Sequence, residues 1–109
     1  MQLLTFDEAA NALGCRVTRV TQLVRDGQLV VARDPGSGRR GVPADMIQDG
    51  AVVKSLPAVI TLLRDAHFAD PEILDWLDRE DESLPGSPLA ALRANRGTEV
   101  KRRAQAAGF

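Results

Sequence analysis

The chain has no tyrosine, one tryptophan and three phenylalanines among its 109 residues. Single-stranded nucleic acids and RNA are gripped by stacking bases on aromatic faces, and so few rings argue against that mode. A lone cysteine, Cys15, cannot close an internal disulfide, and His67 is the only histidine. Neither is accompanied by a glycine-rich phosphate loop or by metal-ligand spacing. An enzyme, a bound cofactor and a metal centre are therefore not expected. The acids from Asp75 to Glu82 lack the alternating ligands and the glycine of a calcium loop. No apolar run approaches the ~20 residues that cross a bilayer. The opening MQLLTFDEAA carries no basic export signal, so a cytoplasmic protein without membrane contact is the expectation.

What is present is 44% hydrophobic residues, enough for one ordinary domain or two very small ones. A folded chain of this length buries roughly two-thirds of its unfolded surface, so one modest core needs no staple. The formal net charge is −1, from 14 basic and 15 acidic residues, but the charges are segregated. Between Arg16 and Pro43, six arginines face two aspartates, a net +4. Between Asp65 and Glu82, eight acids face Arg79 alone, a net −7, and from Arg93 to Arg103 five bases face Glu99, a net +4. Such blocks allow one face to meet phosphates while an acidic face points elsewhere.

Turn signals divide the chain into residues 1–49 and 50–109. Thr5 followed by Glu8 is a capping box that opens a helix over about Phe6–Leu13, with Phe6, Ala9, Ala10 and Leu13 on one face. A second helix over about Thr18–Arg25 buries Val20, Leu23 and Val24 and stops at Gly27. Two short helices joined so tightly make a helix-turn-helix. The β-prone run Leu29–Val31 and Val42 then bracket DPGSGRRG, a hairpin with a basic tip, which in this place is a wing. Pro43–Ile47 reads as a short closing helix. The remainder reads as helical throughout: one helix with Pro57 in its first turn, one capped by Asp70 with Pro71 next, a loop DESLPGSP, a helix restarted by Ser87 and Pro88, and a basic one opened by Gly97 and Thr98. The expected fold is therefore mainly α, a winged helix-turn-helix with a two-stranded β-hairpin wing followed by an all-helical C-terminal region. Cys15 is expected as packing in the interhelical turn, Trp76 as a core anchor, and His67 as a structural residue at a helix end.

On the second helix, Thr18, Gln22 and Arg25 lie opposite the apolar face, flanked by Arg19 and Thr21. These residue types suit base edges in a major groove: glutamine pairs with adenine, arginine with guanine, and a threonine methyl meets that of thymine. Arg16, just before the helix, and Arg39 and Arg40 on the wing suit phosphates or a neighbouring minor groove. A merely solvated helix would mix glutamate and lysine, whereas this face has no acid before Asp26.

The ordered set Leu4, Thr5, Glu8, Ala9, Leu13, Gly14, Val20, Leu23, Gly27 and Leu29 resembles the winged helix-turn-helix of the MerR and excisionase type. With VVKSLPAVITLLRDAHFADPEILDWL and the ending VKRRAQAAGF, the whole chain resembles a small actinobacterial family of winged-helix DNA-binding proteins with a helical tail. Trp76, Leu77, Leu84, Gly86, Pro88, Leu92 and Gly97 are also similar to the toxin-binding domain of a class of bacterial antitoxins, though the loop between Leu77 and Leu84 is acidic rather than rich in Asn and Pro. The resemblance implies DNA binding, and the expected role is a double-stranded DNA-binding transcriptional regulator or nucleoid-associated factor. The alternative is an interaction module whose C-terminal helices hold a partner protein. A single copy offers only about four to six basic phosphate contacts, which favours a homodimer through the C-terminal helices or cooperative binding of adjacent copies.

Overall fold

A computed structural model describes residues 1–84 and 86–108. Its first element is a two-residue strand, β1 (Leu3–Leu4), which feeds the helix α1 (Phe6–Leu13). The capping box forms as expected: the Glu8 amide donates to Thr5 Oγ1 at 3.0 Å and the Thr5 amide to Glu8 Oε1 at 2.8 Å. Both orphan donors at the helix entrance are thereby satisfied. After a three-residue turn comes α2 (Val17–Arg25), which starts one residue earlier than the sequence suggested.

The wing is displaced along the chain. The strands are β2 (Ala32–Arg33) and β3 (Arg40–Pro43), with Ala32 opposite Gly41 and Arg33 opposite Arg40. Leu29 and Val30 stand outside it, both fully buried. Two consecutive buried side chains cannot alternate between a core face and a solvated face as a wing strand requires, so they serve as core plugs behind α2. The far edge of β3 is covered by β1, with Leu3 opposite Pro43 and Leu4 opposite Val42, giving a sheet in the order β1-β3-β2. Beyond it, Ala44–Met46 form one 3-10 turn, shorter than the closing helix expected.

The C-terminal part does not begin as a helix. β4 (Ile47–Gln48) and β5 (Ala51–Val52) pair across Asp49 and Gly50, whose φ angles are 53° and 77°. An Asp-Gly pair with both residues at positive φ makes the tight turn whose twist matches a two-residue hairpin. Only then come α3 (Leu56–Asp65), α4 (Asp70–Asp78), α5 (Pro88–Arg93) and α6 (Gly97–Ala106). Asp70 does not cap α4, because Ala69 takes that position. The Ala69 amide donates to Glu72 Oε1 at 3.0 Å, and Asp70 pairs with Arg64 of α3 at 3.0 Å. Ser87 does cap α5, accepting from the Ala90 amide at 3.1 Å.

One apolar cluster runs through both halves. Val20, Leu29, Val42 and Met46 join Leu56, Ile60, Leu63, Ile73, Leu77 and Leu92, all nearly or fully excluded from solvent. The apolar stripes of α3 and α6 face each other. Trp76 is only half-buried, packed against the edge of this cluster rather than anchoring its centre. Cys15 is half-buried in the turn between α1 and α2, and His67 is exposed at φ 68° beyond the end of α3.

Candidate nucleic-acid interface

The burial of α2 fixes which of its residues are presented. Val20 is fully buried and Leu23 nearly so, while Thr18, Arg19, Gln22 and Arg25 are exposed. At 100° per residue, Thr18, Gln22 and Arg25 lie opposite Val20, and Arg19 flanks them. Thr21 is half-buried and its hydroxyl donates to the Val17 carbonyl at 3.3 Å, so it is turned back onto its own helix. Arg16 occupies the cap position with extended backbone and an exposed side chain that makes no capping bond. With no acid in its first turn, α2 presents a positive end, the favourable end of the helix dipole for phosphate.

Sequence reasoning missed Val17 on this surface. It is the first residue of α2 and 38% exposed, one of two large apolar side chains exposed among the described residues; the other is Met1. A branched apolar side chain at the entrance of such a helix can meet a thymine methyl. Val17 lies three residues before Val20 and seven before Val24, on the apolar side of α2, and is exposed because it holds the first position of the helix, so its spacing gave no signal.

The wing tip is built by its own hydrogen bonds. The Gly38 amide donates to the Asp34 carbonyl at 2.7 Å, the Gly36 amide to Asp34 Oδ1 at 2.8 Å, and the Asp34 amide to the Arg39 carbonyl at 2.8 Å. Arg33, the second residue the sequence did not single out, donates from Nη1 to the Gly38 carbonyl at 2.9 Å. It stands directly across from Arg40, and like charges so placed repel unless an anion lies between them. Arg39 and Arg40 are both exposed but not equivalent, since successive residues of an extended segment point to opposite faces. Arg40 and Arg33 line a groove of about 880 Å³ whose opposite wall is α4, with Asp70, Asp75 and Asp78. Arg39 is outside that groove.

The third charge block resolves differently from the first. Arg93 Nη1 donates to the carbonyls of Asp45 at 2.9 Å and Ile47 at 3.0 Å, tying α5 to the segment before β4. Arg103 pairs with Asp81 at 3.3 Å, and Arg96 reaches Glu99 at 3.8 Å. Asp81 also accepts from the hydroxyl and amide of Ser83, at 2.5 and 2.9 Å. Those two bonds, with the Arg103 charge behind them, hold its carboxyl below the usual carboxylate range. Three of the five bases in this block are thus engaged within the chain, two of them in contacts between distant segments.

No group of three or more His, Cys, Asp or Glu side chains arranged to hold a metal occurs among the described residues, and none of their helices is long and apolar enough to cross a membrane.

Known proteins match along nearly the whole length. Residues 1–47 fit the family model described as "DNA-binding protein Rv2175c, wHTH domain", and residues 53–108 fit that of the "Rv2175c C-terminal domain of unknown function". The chain is 38% identical over 122 residues to DNA-binding protein Rv2175c of Mycobacterium tuberculosis, covering 96% of this chain and 81% of that protein. The NMR structure of Rv2175c superposes with a TM-score of 0.88 at 35% identity, covering 99% of this chain and 82% of the other.

Proposed function

This chain belongs to the Rv2175c family, and on that premise we propose that it binds double-stranded DNA through its winged helix-turn-helix. α2 lies in the major groove with Thr18, Gln22 and Arg25 toward base edges and Arg19 beside them. Thr21 contributes at most its methyl group, because its hydroxyl is engaged by the Val17 carbonyl. Arg16, Arg39 and Arg40 hold the phosphate backbone on either side. The observation that carries this reading is the acid-free open face of α2, positioned by the burial of Val20 and Leu23 and followed by a wing that keeps three arginines exposed.

Each phosphate contact releases counterions and contributes about 0.9 to the slope of log affinity against log salt. A single copy therefore binds modestly, and function as a transcriptional regulator or nucleoid-associated factor in the bacterial cytoplasm calls for two copies on adjacent half-sites. The stripes of α3 and α6 are spent on each other, so a homodimer through the C-terminal helices would rest on other surfaces than these. A second reading, a partner protein held by the C-terminal helices in the manner of an antitoxin, has one observation in its favour. Trp76 borders a cleft with Glu80, Glu82 and Arg103, and Arg103 Nε finds no hydrogen-bond partner among the described residues.

Fluorescence anisotropy with random-sequence duplex at several salt concentrations separates the two. Steeply salt-dependent binding is expected, with a slope shallower by about two for the Arg39→Ala/Arg40→Ala variant. Absence of binding at low salt overturns the DNA reading and favours the partner protein, whereas salt-dependent binding with an unchanged slope takes the wing off the phosphates and leaves α2 as the contact.

A further inference from the structure

The groove beside the wing sets charges of opposite sign against each other. On one wall are Arg33 and Arg40, neighbours across the β2–β3 ladder, with a single acid, Asp34, whose carboxylate accepts from the Gly36 amide; on the other are Asp70, Asp75 and Asp78 of α4. Asp70 is paired with Arg64 and Asp75 with Arg79, so these two aspartates are partly neutralised from their own side. Asp78 ends α4, exposed, and makes no ion pair within 4 Å among the described residues. None of the three aspartates pairs within 4 Å with Arg33 or Arg40. No ion pair among the described residues bridges the two walls of the groove.

We infer that this acidic wall of α4 is a built-in brake on DNA binding and selects which face of the wing takes the backbone. The inference rests on the DNA-binding reading above. A phosphate placed on the Arg33–Arg40 face also lies before Asp75 and Asp78, and their repulsion offsets the attraction of the arginines. A phosphate on the Arg39 side is clear of the groove and feels the wing alone. Arg39 is therefore the principal wing anchor, Arg40 the restrained one, and the C-terminal half sets the affinity of the head without touching DNA. The effect is local, because exposed charges are screened beyond about 8–10 Å at ordinary ionic strength.

The test is a set of affinities for one random-sequence duplex, measured by anisotropy at low and at moderate salt. Asp78→Asn and Asp75→Asn/Asp78→Asn are compared with Asp65→Asn/Glu82→Gln, which changes net charge equally but lies outside the groove. At low salt the groove double variant binds about three- to fivefold more tightly than the parent, the single variant about twofold, and the outside control less than twofold. In an Arg40→Ala background the gain from the groove variant falls below twofold, and Arg39→Ala weakens the parent more than Arg40→Ala does. Asp78 ends its helix, where a negative charge opposes the dipole, so its loss leaves the fold intact, as circular dichroism checks. Equal gains from the groove and outside variants, or no gain in a protein whose binding still needs Arg39 and Arg40, overturn the brake while leaving DNA binding in place. If the Arg39→Ala/Arg40→Ala variant binds like the parent, the wing takes no phosphate and the brake falls with it; if the parent binds no duplex even at low salt, it is the DNA reading itself that fails.

Discussion

Gly41 is the point at which the wing and the N-terminal strand are pressed together, and adding one methyl group there tests the packing directly. It lies in the middle strand β3, buried, opposite Ala32 on one side and beside β1 on the other. A Cβ at Gly41 would sit 2.8 Å from the Leu4 carbonyl oxygen and 3.0 Å from Leu3 Cβ. Ordinary contact begins near 3.4 Å, so the β1 backbone would have to retreat by about half an ångström, stretching its pairing with Val42 and Pro43. Overpacking of this kind costs ~1–3 kcal/mol. Because Gly41 does not adopt a positive φ, alanine regains ~0.4–1 kcal/mol by restricting the unfolded chain. The net destabilisation of Gly41→Ala is about 1–2 kcal/mol, a fall in Tm of roughly 4–12 °C for a domain of this size. Thermal unfolding followed by circular dichroism reads it, with Gly36→Ala as control. Gly36 is in the same wing with a non-positive φ, and its Cβ would meet only Asp34 Oδ1 at 3.4 Å, so that change is neutral or slightly stabilising. A Gly41→Ala protein as stable as the parent would refute the claim that β1 is clamped onto the wing.

Two further predictions concern residues whose charge is used inside the fold. Arg93→Ala leaves the carbonyls of Asp45 and Ile47 without their guanidinium donor and is expected to cost about 1–2 kcal/mol in urea unfolding; its salt slope for DNA stays that of the parent, and a flatter slope would make Arg93 a phosphate contact instead. Asp81 has its carboxyl pKa lowered from 3.8 by Ser83, so the ionised form is the one the fold favours. The stabilisation it confers is present above 3.8 and is lost as pH falls through the lower folded value, so the stability gap between the parent and Asp81→Asn should close on acidification from pH 7. A gap that persists well below that value would show that Asp81 acts through something other than its charge.

Much of the head was legible because its signals are local. Thr5 with Glu8 specifies a helix start by chemistry within four residues, and the Val20, Leu23 stripe specifies which face of α2 is left open. The wing was legible as a turn but not in its register. Hydrophobicity alone assigned Leu29–Val31 to a strand, whereas tertiary burial took Leu29 and Val30 for the core and left pairing to Ala32 and Arg33. The partner strand Leu3–Leu4 has no local mark, since two residues beside a helix cap acquire strand geometry only when β3 lies next to them. Asp49-Gly50 is a miss of another kind. The pair is a strong hairpin signal, read as a boundary because the flanking segments are only two residues long. At the candidate site, Thr18, Gln22, Arg25 and Arg19 follow from helical periodicity. The partial burial of Thr21 and the different surroundings of Arg39 and Arg40 follow from long-range packing, which no spacing in the sequence encodes.

The near-zero net charge is compatible with a DNA-binding reading once distance is considered. The molecule measures 36 × 27 × 23 Å, two to four times the ~8–10 Å over which exposed charges interact in physiological salt. An acid on the far side therefore contributes almost nothing to the potential at α2 or the wing, and a sum over the chain counts charges that the DNA does not feel. By the same reasoning, acids matter wherever the fold brings them within that range. Ion pairs have disposed of several: Asp75 with Arg79, Asp70 with Arg64, Asp81 with Arg103. Besides Asp34 of the wing itself, what remains near it is the α4 wall, where Asp78 makes no ion pair among the described residues and Asp75 is only partly neutralised by Arg79, so of the eight acids between Asp65 and Glu82 these two carry the repulsion. The opposing charges of this chain are thus coupled at one groove rather than through their total, and affinity for DNA should respond to Asp78 far more than to Glu80 or Glu82.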